Sequence, residues 1–441
     1  MNKIILLPLL FILFFADAVE EKSRRSQVKE LISDGGVKFW FMNDDGAPLI
    51  HIKIAFKNAG SSYQEKTKTG VPVFYSDAVF CGSGKYSKTQ FSEACSNISA
   101  KIYCNADMDN IYFSLTAPKI TLNDAISLFN TAITSPNFEE DKVKIIQNGL
   151  GYSAYNYSLD PVGVAFSSII PSIIFKSHPY ENGVVGFPED FMKLSIEDLK
   201  SYKSKFLTAR NAEICVFGDV SENRAKSLVD KAFSGVERGT PSADDVKDVT
   251  PTLNAELKKY YVDGPQSSIF FVLKMEKPPS PKRYIAAVLY RVLGEGYVFR
   301  GKILSELRTK KGLIYSGSLC YVDLNHASYV FGKVQTDNSK AQSAIDSLKE
   351  IIKNLRENGI NQSELQFAKS NIKGKMLVGL RNAENLCHFY FLKKLRGFGK
   401  DVLSEIMEKT DAVTLQEVNS LAKEILDEKR MSFVVIGGGS I

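Results

Sequence analysis

The sequence predicts an α+β fold of two homologous halves, each an antiparallel-type sheet with helices packed on one side. Two observations lead to this prediction. A helix followed by a strand recurs late in each half, with the same spacing in both copies. Strand-like alternation and helical periodicity also follow one another in a similar order in both halves. In the recurring segment, Ser195 and Thr414 open the helices, and Gly218 and Gly437 end the strands.

The first residues of the chain are typical of an export signal. Lys3 gives a positive start, an apolar run covers residues 4–15, and Ala16 and Ala18 form a small-x-small cleavage site. The apolar run is short for a membrane span, although an uncleaved anchor is the alternative. We therefore expect residues 1–18 to be a signal peptide. The mature protein would be periplasmic or secreted, without a transmembrane anchor.

Composition limits the function classes. The chain has 56 basic and 50 acidic residues, a net charge of +6 spread along its length, and 44% hydrophobic residues. Since no basic stripe with interleaved aromatic residues is present, nucleic acid is not an expected partner. The length suggests two to four domains. The repeat and a polar stretch predict an N-terminal domain at 19–234, a linker at 235–253 that contains Pro241 and Pro251, and a C-terminal domain at 254–441.

The first half begins with a clear strand pattern. Residues 48–57 alternate, with Ile50 and Ile52 on one face and His51 and Lys53 on a polar face. Helices are predicted at 71–80, 88–98, 122–135 and 139–157, and strands at 101–104 and 110–117. Residues 158–194 give no clear pattern beyond loop-like stretches.

The recurring segments carry matched helix starts. Ser195 is followed at the third position by Asp198, and Thr414 by Glu417, which predicts a capping box at each helix. The second half also contains a predicted strand at 268–274 and a helix at 284–293. These matches indicate that the chain arose by duplication of one structural unit.

One stretch of the second half carries two side chains with possible chemistry. In residues 302–318, Leu304 and Leu307 lie at helical spacing, and Gly312 marks a turn before a strand. Arg308 and Tyr315 flank this turn, and a guanidinium and a phenol can both donate hydrogen bonds to one carbonyl or oxyanion. The alternative is a solvated charge and a half-buried strand residue.

Several local motifs together resemble the pitrilysin or insulinase-like zinc peptidases. The resemblance is greatest to the processing-peptidase subfamily, which is built from two such halves. It covers nearly the whole mature chain. The matching segments are residues 53–62, 70–83, 178–180, 217–220, 293–294 and 307–316.

The resemblance implies a zinc site that this chain has lost. Active relatives carry H-x-x-E-H on the helix that begins here at Gly70, so that two imidazoles reach one metal and the glutamate polarises its water. The matching positions are Val73, Ser76 and Asp77. The third family ligand, a glutamate, falls between Asn148 and Ser153, where no carboxylate is present. We therefore expect no metal and no cofactor in this chain.

The histidines do not replace the lost ligands. The chain has four, and none lies four positions from another, as two ligands on one helical face would. They are therefore interpreted as ordinary surface, loop or packing residues. These histidines are His51, His178, His326 and His388.

The resemblance gives Arg308 and Tyr315 a role in trans. In the resembling enzymes, an arginine and a tyrosine of the second half hold the substrate carbonyl over a zinc site. Some members divide these parts between two chains. The chain is thus predicted to be the non-zinc-binding subunit of an exported heterodimer that cleaves an extended peptide, with zinc held by a homologous partner. The alternatives are an inert scaffold, a peptide-binding protein, or activity through another metal.

Overall fold

The computed structural model describes residues 27–155, 160–185, 188–239, 246–296 and 300–438. The predicted signal peptide, residues 1–18, lies outside these ranges. Among the described residues, no helix has the combination of length and apolar character needed to cross a membrane.

Six strands form the sheet of the first half. They are Lys29–Ile32 (β1), Lys38–Asn43 (β2), Leu49–Phe56 (β3), Lys101–Ala106 (β4), Ile111–Pro118 (β5) and Ala212–Gly218 (β6). Their spatial order is β1-β2-β6-β3-β5-β4. Neighbouring strands are antiparallel apart from the parallel pair β2 and β6. The helices of this half are Val71–Ala78 (α1), Lys88–Asn97 (α2), Leu122–Thr134 (α3), Glu140–Tyr155 (α4), Pro161–Val164 (α5), Ile170–Ile174 (α6), Pro188–Phe191 (α7), Ile196–Phe206 (α8) and Glu222–Ala232 (α9).

The second half repeats this arrangement. Its strands are Leu257–Tyr261 (β7), Gln266–Lys274 (β8), Ser316–Asp323 (β9), Ser328–Asp337 (β10) and Phe433–Gly437 (β11), in the order β7-β11-β8-β10-β9. Its parallel pair, β7 and β11, corresponds to β2 and β6. Its helices are Lys282–Leu293 (α10), Ala341–Asn358 (α11), Gln362–Gly379 (α12), Ala383–Leu395 (α13), Val402–Ala412 (α14) and Leu415–Ile425 (α15). The predicted fold class is therefore confirmed, while the domain and linker boundaries stay a prediction.

The two helix starts that revealed the repeat have nearly identical geometry. At α8, the Asp198 backbone N–H donates to the Ser195 hydroxyl at 3.2 Å, and the Ser195 N–H donates to the Asp198 carboxylate at 2.8 Å. At α15, the corresponding distances between Thr414 and Glu417 are also 3.2 Å and 2.8 Å. Both predicted capping boxes are therefore confirmed. Each one satisfies two backbone N–H donors that the first turn of a helix leaves unpaired.

Each sheet is covered on one face by its own helices and on the other by the opposite half. In the first half, Trp40 and Phe217 of the sheet pack against Tyr390 of α13, with the Trp40 and Tyr390 ring centres 6.3 Å apart. In the second half, Phe331 of β10 packs against Phe166, at 5.5 Å between ring centres. The helices of one half thus complete the core of the other.

This exchange corrects two features of the sequence interpretation. His51 was predicted on a polar strand face, yet it is buried, with its Nδ1 atom 3.0 Å from the Thr116 hydroxyl. Burial lowers its pKa. The face is covered because α13 lies across it, where the Cys387 thiol contacts the His51 carbonyl. Within residues 158–194, for which the sequence gives no clear pattern, residues 161–174 form α5, a π-helical turn, Ala165–Ile169, and α6, and they pack on the second sheet.

A buried carboxylate joins the two halves. Asp109, in the turn between β4 and β5, is fully buried and accepts a hydrogen bond from the Tyr180 hydroxyl at 2.6 Å. From the second half, the Asn325 backbone N–H donates to it at 2.6 Å, and the Arg396 guanidinium lies at 3.3 Å. Desolvation raises the pKa of Asp109, although the Arg396 charge opposes this shift. Arg396 is therefore the counter-charge that opposes protonation of this carboxylate.

Asp107 supports the same turn from the first half. Its carboxylate accepts hydrogen bonds from the backbone N–H groups of Asp109 and Asn110, at 2.7 and 2.8 Å, and from the Tyr112 hydroxyl at 2.5 Å. Burial, followed by repulsion from Asp109, raises the pKa of Asp107 to about 6. The turn thus holds two carboxylates close together, and the arginine of the other half offsets their repulsion.

We expect Arg396→Met to destabilise the protein by ~3–5 kcal/mol near pH 8, because it leaves a buried carboxylate without its counter-charge. The loss should be smaller at pH 5. Removing Arg396 raises the folded-state pKa of Asp109 further above its unfolded value, and stability from a raised carboxyl pKa is lost as the pH rises through that pKa. Urea unfolding at the two pH values measures both effects.

The matched control is Lys29→Met, which removes an exposed ion pair of 2.6 Å with Glu222. It should change the free energy of unfolding by no more than about 0.5 kcal/mol at either pH. An equal effect of the two substitutions, or a loss from Arg396→Met that grows toward pH 5, would contradict the role assigned to Arg396.

Candidate functional site

The helix that corresponds to the family's zinc motif is a packing element here. α1 begins after Gly70, whose φ of +88° lies in the left-handed region, where a Cβ atom would also clash with the Phe191 ring at 2.8 Å. Val73 is half-buried against the core of the first half. Ser76 is buried, and its hydroxyl donates to the Val73 carbonyl at 2.8 Å. Val73 and Ser76, two of the three positions that match the zinc motif, therefore contribute to packing and to hydrogen bonding within α1.

Asp77 provides the one carboxylate among the three positions that match the zinc motif. Its side chain is exposed on α1, and partial desolvation raises its pKa while Lys88 acts in the opposite direction. A single carboxylate in this setting offers a cation one monodentate or bidentate contact. Zinc sites in proteins use three or four ligands, so Asp77 alone does not make one.

The third position of the lost site lies on α4, which packs beside α1. Asn148 is exposed on this helix, and its neighbour Gln147 is buried. The Gln147 amide donates to the carbonyls of Phe191 and Leu194, at 2.6 and 2.9 Å, and so fixes the segment after α7 against α4. The Ser153 side chain lies outside the described part of the structure.

Metal ligands do not gather elsewhere in the part of the chain that the structure describes. No group of three or more histidine, cysteine, aspartate or glutamate side chains there is placed to hold a metal ion. Two histidines have structural partners: the His178 Nε2 atom lies 2.9 Å from the Lys247 carbonyl, and the His326 Nε2 atom lies 2.9 Å from the Tyr63 hydroxyl.

The stretch that carries Arg308 and Tyr315 has the predicted order of helix, glycine turn and strand. A π-helical segment, Leu304–Lys310, ends at a turn in which Gly312 has a φ of +60°. The Leu313 N–H donates to the Leu307 carbonyl at 2.7 Å and closes this turn. The strand begins at Ser316, three residues later than the apolar run beginning at Leu313 predicts.

The same stretch is anchored by its apolar residues and exposes its polar ones. Ile303, Leu304 and Leu307 are buried in the core of the second half. Arg308 is exposed, and Tyr315 is 48% exposed. The wide π-helical turn thus fixes the backbone while both side chains reach the surface. Whether they contact a substrate stays a prediction.

Tyr315 has a hydrogen-bond partner within the chain. Its hydroxyl donates to the Asp337 carboxylate at the end of β10, and Asp337 also pairs with Lys340 at 3.1 Å. The bond to Asp337 raises the pKa of Tyr315 and lowers that of Asp337. A phenol has one proton to donate, so Tyr315 must leave Asp337 before it can donate to a substrate carbonyl.

Sequence reasoning missed a cavity of about 450 Å³ in the second half, between α10, α12, α13 and α14. Its lining is mainly apolar with a cationic component, and it comes from segments that are distant in the sequence. The available sequence signal was the apolar run from Met376 to Leu380, of which Met376 and Leu380 line the cavity. In the structure, Leu377 and Val378 of this run are more than half exposed, and exposed apolar side chains at a helix end mark a surface of interest.

Two family models match this chain. Residues 48–185 match the model described as Insulinase (Peptidase family M16), and residues 193–372 match the model described as Peptidase M16 inactive domain. The matches confirm the resemblance to pitrilysin and insulinase-like peptidases, which rested on motifs in both regions.

Curated relatives span nearly the same length. The Non-peptidase homolog YmxG of Helicobacter pylori is 21% identical, covering 88% of this chain and 89% of the relative. The Uncharacterized zinc protease YmxG of Bacillus subtilis is also 21% identical, covering 91% and 96%. The Zinc protease PqqE of Helicobacter pylori is 21% identical, covering 78% and 77%. The relatives thus include proteins described as zinc proteases and one described as a non-peptidase.

Solved structures show the same fold. A peptidase M16 inactive domain from Pseudomonas fluorescens superposes with a TM-score of 0.85 at 19% identity, covering 94% of this chain and 98% of that one. A protease from Helicobacter pylori superposes with a TM-score of 0.80 at 15% identity, covering 93% and 99%.

We expect the purified protein to contain far less than one zinc ion per chain, because its site positions offer a single carboxylate. A chelator should leave its thermal midpoint unchanged, since no binding energy of zinc contributes to folding. Elemental analysis and a melting curve with and without EDTA measure this. A homologue with an intact H-x-x-E-H motif is the positive control, and stoichiometric zinc in this chain would refute the interpretation.

Proposed function

Because this chain belongs to the M16 family of insulinase-like peptidases, we propose that it is the non-zinc-binding subunit of an exported heterodimeric zinc peptidase. The homologous partner supplies the zinc ion, the attacking water and the general base. This chain binds the extended peptide substrate and presents Arg308 and Tyr315 to the scissile carbonyl. The observation that carries the proposal is the loss of zinc ligands in the first half beside an exposed arginine and tyrosine in the second.

The lost half of the site has become structural. Val73 packs into the core, Ser76 bonds back to its own helix, and Asn148 lies exposed on α4. With Asp77 as the single carboxylate among these positions, α1 and α4 do not hold the Lewis acid that hydrolysis uses in the resembling enzymes. A peptidase reaction at this fold therefore needs a second chain.

The retained half of the site can stabilise charge. In the tetrahedral state of peptide hydrolysis, negative charge develops on the carbonyl oxygen, and donors already aimed at that oxygen lower the barrier. Arg308 provides fixed positive charge, and the Tyr315 phenol provides one donor. The Tyr315 bond to Asp337 keeps the phenol in one rotamer until a substrate carbonyl competes for its proton.

An edge strand of the first sheet supports binding of an extended peptide. β4 is the last strand of that sheet, whereas β9, the last strand of the second sheet, already has a bridge between Leu319 and Glu295. β4 is short and partly exposed, and Tyr103 on it is 61% exposed. An edge strand can pair with a peptide backbone, while side-chain pockets beside it select residues.

A second candidate is a scaffold subunit without any part in chemistry. The observation that favours it is the same hydrogen bond from Tyr315 to Asp337, because a phenol that already has an acceptor can be a purely structural group. In that role the turn between Arg308 and Tyr315 would only pack against a partner. The two candidates differ in whether these side chains affect hydrolysis.

We expect Arg308→Ala and Tyr315→Phe each to lower kcat of the reconstituted heterodimer about 10²- to 10³-fold, the loss caused by removing one oxyanion donor. The assay uses this chain with a homologous chain that carries an intact H-x-x-E-H motif and a fluorogenic peptide library. KM should change little, since the interaction strengthens in the transition state.

Matched controls come from the same half. Lys310→Ala removes an exposed cation of the same π-helical segment, and Tyr261→Phe removes the hydroxyl of an exposed tyrosine on β7. Both should leave kcat and assembly unchanged. If Arg308→Ala and Tyr315→Phe also leave kcat unchanged while the heterodimer forms, the scaffold role replaces the proposed one.

A further inference from the structure

The cavity in the second half has an apolar body. It has a volume of about 450 Å³, within the range of ~300–1,000 Å³ that is typical of small-molecule sites. Its apolar lining includes Ile372 and Met376 of α12, Phe389 and Leu392 of α13, Phe398, and Ile406 of α14. It lies outside the turn that carries Arg308 and Tyr315, so neither proposed role explains it.

The charged side chains that line the cavity are cationic. Arg283 pairs with Asp323, while Arg291 and Lys375 share one carboxylate, Glu295, with Lys375 at 3.6 Å. A fourth cation, Lys393, also lines the cavity. Four cations therefore face two carboxylates, and the lining carries an excess of positive charge.

Lys393 is the cation that lacks a carboxylate. Its ammonium group lies 4.9 Å from the Phe398 ring centre and 5.7 Å from that of Phe389, and no carboxylate pairs with it among the described residues. Burial, followed by the Arg283 charge, lowers the pKa of Lys393 to about 8. A cation held between two rings at an apolar cavity is stabilised by an anion that enters from outside.

A second donor in the lining lacks an acceptor. Arg291 is 6% exposed, and its buried Nε–H has no hydrogen-bond partner among the residues that the structure describes. A buried donor without an acceptor costs free energy, so a ligand oxygen that reaches the cationic wall is favoured.

We propose that this cavity binds a fatty acid, with the acyl chain among Met376, Phe389 and Phe398 and the carboxylate against Lys393. The charge complementarity selects an anion, and the apolar lining selects a hydrocarbon chain. Removal of the hydrocarbon chain from water favours its binding among these side chains, whereas a peptide backbone in the same place would leave its amides unpaired.

The mouth of the cavity fits the same ligand. Leu392 on α13, which lines the cavity, is 38% exposed. It adds an apolar, solvent-accessible part to a lining whose charged groups are cationic. A ligand with one apolar tail and one anionic head matches both surfaces at once.

The experiment is isothermal titration of the purified protein with sodium decanoate at pH 7, with 1-decanol as the uncharged analogue. Decanoate should bind saturably with one site, about tenfold or more tightly than decanol, because only decanoate pairs with the ammonium group. Absence of saturable decanoate binding, or equal binding of the two compounds, overturns the proposal.

Variants localise the site. Lys393→Met should weaken decanoate binding about ten- to hundredfold and leave decanol binding unchanged, because it removes the charge and keeps the apolar stem. Met376→Trp should abolish binding of both compounds by filling the cavity. Lys353→Met, at an exposed position of α11, is the control and should change neither. If Lys393→Met or Met376→Trp binds decanoate as the natural protein does, the proposal is overturned.

Folding of each variant is checked by its melting curve. If Met376→Trp does not fold, Ala287→Leu, which narrows the same cavity from α10, replaces it with the same expected loss of both compounds. The oligomeric state is measured for the natural protein with and without decanoate, and for Met376→Trp. If the natural protein is a dimer that decanoate leaves intact and Met376→Trp dissociates, the cavity serves self-association and the proposal is overturned.

The pH dependence gives an independent readout. Decanoate affinity should fall as the pH rises from 7 to 9, because Lys393 loses its proton near pH 8 while the ligand stays ionised. The charged groups that act on Lys393 are Arg283 of α10, Asp323 of β9 and Arg396 after α13. Lys375 and His388 also line the cavity. Lys393→Met should show no such fall, and a persistent fall in that variant contradicts the assignment.

Discussion

The buried carboxylate of Asp109 sets the relation between the two halves. It sits in a turn of the first half, and two of its three partners, the Asn325 backbone and the Arg396 guanidinium, belong to the second. An ion pair removed from water is tolerated only when its remaining hydrogen-bonding capacity is satisfied, and the Tyr180 hydroxyl completes that set. Small changes in docking angle would break several of these bonds together, so the junction permits one arrangement.

The exchange of helices around this junction explains how two sheets form one folded unit. α13 covers the face of the first sheet that the helices of its own half leave open, and α5 and α6 cover the corresponding face of the second sheet. Each face buries aromatic side chains, whose burial contributes ~1.5–3 kcal/mol apiece. The apolar contacts supply most of the stability of the junction, while the polar cluster selects its geometry. In isolation, each half would expose one face of its sheet to water.

The same architecture separates what the protein has lost from what it keeps. The α1 helix retains its place beside α4, but its former ligand positions now serve packing and helix hydrogen bonding, as Val73 and Ser76 show. The turn of the second half keeps its apolar anchors buried and its arginine and tyrosine outside. The fold persists without the zinc ligands, because the helix is held by its buried face.

The sequence by itself determined the local structure. It predicted the strand around Ile50 and Ile52, the paired capping boxes and the glycine turn at Gly312, because these depend on side-chain periodicity and on bonds between residues three or four positions apart. It also identified the missing ligands at Val73 and Ser76. Only the tertiary structure decided the rest. His51 is buried by a helix from the other half. Asp109 finds its counter-charge in Arg396, far along the chain, and the cavity beside Lys393 is assembled from segments that are distant in sequence. Such contacts leave no periodic signal, since they depend on how the two halves dock.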